Sequence, residues 1–191
     1  MATTTYDGSI DSLKAILSNR RGIARANRFS VTMTPPAGIM TPTDVRDISV
    51  LCESSVIPSR KIKTFEYATY RQEMKYPAGF NHDDIDLSFI LTGDYFIKNV
   101  MDAWLDLIVD HSSYRIQYQA KFAGTLLITQ LDEALQEVYT LKLENAWPTS
   151  LGAIQLDANG GDTFHTLPVT FTYEAYEIIS ASSPSIKVVH K

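Results

Sequence analysis

Hydrophobic and polar residues alternate along several short segments of this chain, and this alternation limits its fold more than any other feature does. The clearest case is residues 85–91, where every second side chain is large and apolar. A period of two puts successive side chains on opposite faces of a β-strand, so one face of such a segment is buried. The residue types that favour strands make up about a third of the chain, which also predicts a mainly β protein.

Comparable patterns predict the other strands. In residues 45–53 the side chains of Ile48, Val50 and Cys52 share one side of the predicted strand. Pro168 lies inside the last predicted strand and so indicates a sheet edge or a bulge there. The predicted strands are residues 29–33, 45–53, 62–67, 70–76, 85–91, 114–118, 125–130, 137–143 and 167–173. Loops, breaks or turns are predicted at residues 35–42, 77–83, 146–152 and 157–162.

In two segments the apolar residues recur instead every three or four positions, as they do in amphipathic helices. Residues 95–110 carry Trp104 and other apolar residues at this spacing. A second helix is predicted near the N-terminus, capped by Ser9 or Asp11 and ended by Gly22. The elements together predict one α+β domain that is mainly β, most simply an antiparallel β-sandwich or small barrel of packed strands with a flanking α-helix.

The charge and the single cysteine exclude several classes of protein. The net charge is −5 and the isoelectric point about 5.3, and an acidic chain is a poor candidate for binding nucleic acid over its whole surface. One cysteine cannot form an internal disulfide. No apolar run approaches the roughly 18 residues of a membrane span, and the pattern of a secretory signal is missing. We therefore expect a soluble chain that does not insert into a membrane.

Motifs for catalysis or cofactor binding are missing from the sequence. There is no glycine-rich phosphate loop, paired-cysteine metal motif or nucleophile elbow. The cluster His82-Asp83-Asp84 with Asp86 could bind a divalent cation, but a solvated turn is favoured because no known ligand spacing accompanies it. Cys52 is interpreted as a buried structural thiol rather than a nucleophile. We expect no enzyme, no metal and no cofactor.

Charged residues cluster in two places. Residues 9–28 are basic, through Lys14 and the arginines Arg20, Arg21, Arg25 and Arg28. Residues 81–110 are acidic, and Asp102, Asp106 and Asp110 recur every four residues toward the end of the predicted helix. Neighbouring carboxylates repel one another, and the helix dipole disfavours anions at this end. The stripe is either a solvated acidic face or a surface that meets Arg or Lys from another copy.

Residues 65–76 are rich in tyrosine, lysine and arginine. Tyr67, Tyr70 and Tyr76 fall in the predicted hairpin. This composition suits a surface that binds another protein, and it also suits stacking on single-stranded nucleic acid. The net negative charge favours the protein surface.

A dense motif lies in residues 146–177, and weaker ones precede it. It combines Trp-Pro-Thr, a Gly-x-Ile-Gln-Leu-Asp segment and Thr-Phe-x-x-x-x-Val-Thr with a late aromatic. The positions are Trp147, Pro148, Thr149, Gly152, Ile154, Gln155, Leu156, Asp157, Thr163, Phe164, Val169, Thr170 and Tyr176. This region resembles the C-terminal signature of the tail tube proteins of contractile-tailed, T4-like bacteriophages. The Arg25-Ala-Asn-Arg-Phe29 segment, the Ser55-Val-Ile-Pro58 loop and the helix with Trp104 resemble further parts of that family.

The resemblance implies a fold of two packed antiparallel sheets with a flanking helix. It also implies a structural virion protein that forms hexameric rings, which stack into a tube through which DNA passes without specific binding. The expected partners are other copies, the tail sheath, the baseplate and the tail terminator, with assembly in the host cytoplasm. The expected organisation is an N-terminal arm with its helix (1–24), a tail-tube β-domain (25–179) and a C-terminal arm (180–191).

Other functions remain open at this stage. A baseplate protein that starts the tube shares the expected fold, and a tube subunit of a related secretion system or bacteriocin is a close variant. A nucleic-acid-binding module that uses the tyrosine-rich hairpin is a further alternative. An enzyme built around residues 82–86 has the least support.

Overall fold

The computed structural model describes residues 9–37, 39, 42–69, 72–157 and 164–181. Four helices and nine strands are assigned within this part of the chain. In chain order they are α1 (Ile10–Asn19), β1 (Phe29–Thr34), α2 (Pro42–Leu51), β2 (Cys52–Ser55), β3 (Arg60–Thr69), β4 (Gln72–His82), β5 (Ile85–Ile90), α3 (Phe96–Ile108), α4 (Gln119–Phe122), β6 (Gly124–Leu131), β7 (Glu137–Leu151), β8 (Thr166–Thr172) and β9 (Ala175–Ala181).

The strands form two antiparallel layers that share β7. The first part of this 15-residue strand pairs with β6 on one side and β9 on the other. Its last part, from Trp147 to Leu151, pairs with β8. The strand order is β1-β6-β7-β8-β5-β2, with β9 on β7, and β3 and β4 pair only with each other. Because β1 and β2 stand at the two ends of this order, the predicted sandwich is confirmed and the barrel is not closed.

The core lies between the strands and α3. Trp104 is fully buried, its indole N–H donates to the Phe122 carbonyl at 2.8 Å, and its ring meets Phe171 edge-on at 6.0 Å between centroids. Gly124 lies directly beside it. A Cβ on Gly124 would come within 2.7 Å of the Thr34 carbonyl oxygen and 2.9 Å of the Trp104 ring. The strand therefore needs glycine at this point.

Both predicted helices are present. α3 buries one face through residues three and four apart, as the period indicated. α1 begins where Ser9 accepts a hydrogen bond from the Ser12 N–H. It ends at Asn19, three residues before the predicted stop at Gly22, and the positive φ of Arg21 (62°) and Gly22 (83°) turns the chain so that the Gly22 N–H bonds the Leu17 carbonyl. No helix of the described part is long and apolar enough to cross a bilayer.

The strand predicted over residues 45–53 is wrong. The chain forms α2 up to Leu51, and only β2 follows as a strand. Ile48 is buried and Val50 is 76% exposed, so they do not share a face. α2 packs on β1, and this tertiary contact overrides a short apolar pattern that fits either period. Cys52 is partly buried in β2, and burial raises the pKa of its thiol to about 12.

Several boundaries also differ from the prediction. The breaks at 77–83 and 146–152 are wrong, because β4 and β7 run through them and take up Pro77 and Pro148 beside bulges. The predicted strand at 114–118 is a connection with one isolated bridge, Val109 to Ile116. β8 lies between β7 and β5, so Pro168 does not mark an edge. The predicted Asn159-Gly160 turn falls outside the described residues.

Candidate assembly surfaces

The β3–β4 hairpin exposes a row of large apolar side chains. The pairs Phe65–Tyr76 and Tyr67–Met74 are neighbours along the hairpin, so all four side chains share one face, which we call the hairpin apolar face. Each is between 44% and 60% exposed, and the rings of Phe65 and Tyr76 stack at 5.7 Å. A lone two-stranded sheet is marginally stable in water, and exposed apolar patches of this kind mark contacts with other chains.

The structure brings two of the three predicted tyrosines together on this face. Tyr67 and Tyr76 belong to it, whereas Tyr70 lies outside the described residues. Sequence reasoning missed Phe65 and Met74, although the alternation that predicted the hairpin would have identified both. Their presence makes the face more apolar than its tyrosines suggested, which favours a protein partner over stacked bases.

Aromatic side chains hold the base of the hairpin to the main sheet. The Arg60 guanidinium lies 4.9 Å from the ring centre of Tyr176 and 5.8 Å from that of Phe80. His82 packs edge-on against Tyr173 and Tyr176, at 5.4 and 5.9 Å between centroids. Arg60 and His82 form the pair at the open end of the hairpin. These contacts join that pair to β9 and its preceding turn, so the hairpin projects from a fixed base.

The acidic residues after the hairpin do not form a common site. Asp83 accepts from Lys61 at 2.8 Å and from Ser59 at 2.6 Å, and these bonds lower the pKa of its carboxyl group. Asp86 instead accepts from the Thr170 hydroxyl at 2.7 Å. No group of three or more His, Cys, Asp or Glu side chains among the described residues could hold a metal ion.

The four predicted arginines line one small cavity of about 90 Å³. The Gln130 amide fixes this segment by donating to the backbone carbonyls of Arg25 and Arg28, at 2.8 and 2.7 Å. The Arg25 guanidinium also bonds Glu133, at 2.9 Å from its terminal nitrogen. The N-terminal arm is therefore attached beside the β6–β7 turn. Arg20, Arg21, Arg25 and Arg28 all lie at that one place.

The predicted acidic stripe is only partly present. Asp102 and Asp106 lie on α3, but the helix ends at Ile108 and Asp110 follows it. Each carboxylate has a partner within the chain: Asp102 bonds Lys98 at 2.7 Å, Asp106 bonds His111 at 3.0 Å, and Asp110 accepts from the two serines that follow. The partners of Asp102, Asp106 and Asp110 are surface contacts within the chain, so all three carboxylates stay accessible to an outside cation. Their contact with another copy remains a prediction.

Free sheet edges are a further surface for assembly. Among the described strands, β1, β2 and β9 each pair on one side only. Such an edge presents unpaired N–H and C=O groups, which can pair with another chain. The molecule thus offers both apolar and backbone surfaces to a neighbour.

Comparison with known proteins relates the chain to a family by sequence and to solved structures by fold. A sequence model of the family described as phage tail tube protein matches residues 24–179. The tail tube protein of Serratia phage KSP90 is 21% identical over 157 residues, which is 82% of this chain and 89% of the phage protein. A chain of the anti-feeding prophage cap, which terminates the tube, has a TM-score of 0.63 at 21% identity and covers 95% of this chain and 100% of its own.

A second solved structure has the same fold. It is a chain from the extended sheath–tube complex of the PVC extracellular contractile injection system. Its TM-score is 0.59 at 18% identity, and the match covers 93% of this chain and 98% of that one.

Proposed function

Because the chain belongs to the phage tail tube protein family, we propose that its copies assemble into hexameric rings that stack into the inner tube of a contractile phage tail. The hairpin apolar face carries this proposal, since the described part of the chain leaves its four large side chains exposed. Burying such a face against another copy removes apolar surface from water. The family is a structural one, so no catalytic step is part of this function.

Within a ring, neighbouring copies join through their sheet edges, because pairing satisfies the exposed backbone groups of β1, β2 and β9. Between rings, the contacts are the N-terminal arm, residues 35–45, residues 67–82 of the hairpin and the acidic residues Asp102, Asp106 and Asp110. Each copy has a formal charge of −5, and the part of it that faces the lumen would repel phosphate, so that DNA passes through the tube without specific binding.

The same proposal sets the partners and the location of the protein. The tube lies inside the tail sheath, with the baseplate at one end and the tail terminator at the other. It assembles in the host cytoplasm and remains in the virion. A tube subunit of a related contractile injection system would use the same surfaces.

A baseplate protein that starts the tube is the second candidate. The family model matches residues 24–179, and α1 lies outside that part of the chain. This additional helix is the observation that favours an initiator. An initiator needs surfaces for baseplate proteins in addition to those for the tube, and such an addition could supply them.

Negative-stain electron microscopy of the purified chain, with light scattering in parallel, tests these candidates. Hollow tubes or stacked six-fold rings would support the tube subunit. Single rings that grow only after baseplate components are added would support the initiator. Monomers at all concentrations, with and without baseplate components, would contradict both.

A further inference from the structure

Helix α1 has an apolar face that the other described residues of its own chain leave uncovered. Ile10, Leu13 and Ile16 lie along one side of the helix, at 37% to 73% exposure, and no side chain of α1 is buried. An isolated helix of 10 residues is marginal in water, because most helical stability in proteins comes from packing an apolar face. The face of α1 therefore needs a surface to pack against.

A matching groove lies beside α3. Its apolar lining is Leu105 on α3 with Leu151, Ile154 and Leu156 at and after the end of β7, and its volume is about 530 Å³. Leu156 is 77% exposed, so the groove is open to solvent. Grooves of this kind accept an amphipathic helix through side chains at three- and four-residue spacing, which is the spacing of the α1 face.

The arm and the groove lie at opposite ends of β7. Gln130 and Glu133 hold the arm at Arg25, next to the start of β7, whereas Leu151 is the last residue of the strand. A strand of 15 residues spans up to about 50 Å. Residues 20–24, fully extended, add at most about 18 Å to a helix about 15 Å long. The arm reaches a groove more readily on a second copy than on its own chain.

Charge also suits a second copy. Asp102 and its ion-pair partner Lys98 both line the groove, and Asp106 lies one turn further along α3. Arg20 and Arg21 follow directly after α1. Asp106 lies in the last turn of α3, where the helix dipole disfavours an anion, and a guanidinium beside it offsets this effect. Complementary charges of this kind set the orientation in which the helix binds more than its affinity.

We propose that α1 of one copy docks its apolar face into the groove between α3 and residues 151–156 of a second copy, with Arg20 and Arg21 beside Asp102 and Asp106. The proposal rests on the proposed function, and it adds which surfaces meet between stacked copies. The contact joins two different patches, so it is head-to-tail and can be repeated along a filament. α1 lies outside the part matched by the family, residues 24–179.

Disulfide trapping tests the contact. Two single-cysteine variants are made in a Cys52→Ser background, Leu13→Cys on the helix and Leu156→Cys in the groove, and they are mixed and oxidised. Both positions are solvent-exposed, so neither substitution threatens the fold. We expect a cross-linked dimer from the mixture at least tenfold in excess of that from either variant alone. Ala15→Cys, on the opposite face of α1, is the matched control for Leu13→Cys.

Two results would overturn the proposal. The first is a mixture of Leu13→Cys and Leu156→Cys that cross-links no more than Ala15→Cys with Leu156→Cys. The second is a Leu13→Cys/Leu156→Cys double variant that cross-links only within one chain, which would assign the groove to its own arm. Electron microscopy of the same samples separates this result from the proposed function: tubes without the cross-link contradict only the docking, and the cross-link without tubes or rings contradicts only the tube.

Discussion

Strand β5 and the β3–β4 hairpin have similar apolar patterns but opposite environments. The apolar side chains of β5 are at most 1% exposed at Ile85, Leu87 and Phe89, whereas those of the hairpin apolar face are 44% to 60% exposed. β5 lies between β2 and β8 and its apolar side chains belong to the main core, but the hairpin pairs only with itself. An alternating pattern thus specifies a face that must be covered, and it leaves open whether the cover comes from the same chain.

The largest effect is expected in the core. Trp104→Ala should lower the free energy of unfolding by about 3–5 kcal/mol, because it removes a fully buried ring and its hydrogen bond to Phe122. Urea unfolding followed by fluorescence or circular dichroism measures this loss. Tyr118→Ala, at an exposed aromatic residue, is the control. Equal losses for the two variants would mean that Trp104 does not organise the core.

Gly124→Ala should cost less, about 1–3 kcal/mol, because its methyl group would collide with the Thr34 carbonyl and the Trp104 ring. Gly93→Ala is a matched control, since a Cβ at Gly93 meets nothing within 4 Å. Thermal unfolding of both variants checks the difference. A Gly124→Ala protein as stable as Gly93→Ala would show that β6 can shift away from the core without penalty.

Asp110 should give a smaller effect that depends on pH. Hydrogen bonds from Ser112 and Ser113 lower the pKa of its carboxyl group from 3.8 to about 2. Since the pKa is lower in the folded state, the stabilisation is complete above the unfolded value and is lost as pH falls through the folded one. Asp110→Asn should therefore be less stable than the unmodified chain at pH 7, and the difference should vanish between about pH 4 and pH 2.

Unfolding curves collected across this pH range measure that difference. Glu53→Gln, which removes an exposed carboxylate on β2, is the control for the loss of one negative charge. A difference between Asp110→Asn and the unmodified chain that persists unchanged at pH 2 would rule out the serine bonds as its cause.

The smallest effect on stability, and a large one on assembly, is expected on the hairpin apolar face. Tyr67→Ala should change the free energy of unfolding by less than about 0.5 kcal/mol, because its side chain is largely exposed in the single chain. The same change should prevent tube or ring formation in light scattering and electron microscopy. Glu66→Ala, at the next residue and on the opposite face, is the control. Normal assembly of Tyr67→Ala would remove this face from the interface.

Much of the fold follows from local pattern. β5, β6 and α3 have clear periods and lie where the sequence predicts them, and α1 begins after the predicted cap Ser9 and ends at Asn19, just before the predicted stop at Gly22. These elements have one apolar face each, so a single period describes them. The motif at residues 146–177 also indicated the family that the comparisons support.

The misassigned segments share a different property. α2 contains too few apolar residues to distinguish the period of a strand from that of a helix. Its packing against β1 selects the helix. β4 and β7 continue through Pro77 and Pro148 because bulges absorb the missing backbone donors. β9 was not predicted, and it forms by pairing with β7, which is distant in sequence. In each case the deciding contact is non-local.

The sequence by itself determined the mainly β class, the two amphipathic helices and the position of the exposed basic and acidic residues, because periodicity and charge are properties of local segments. Only the tertiary structure decided that Arg20, Arg21, Arg25 and Arg28 share one cavity, that Asp110 lies beyond α3, and that the hairpin is left without a covering layer. Those outcomes depend on which segments contact one another across the chain. Such long-range contacts do not show in the local hydrophobic period of either segment.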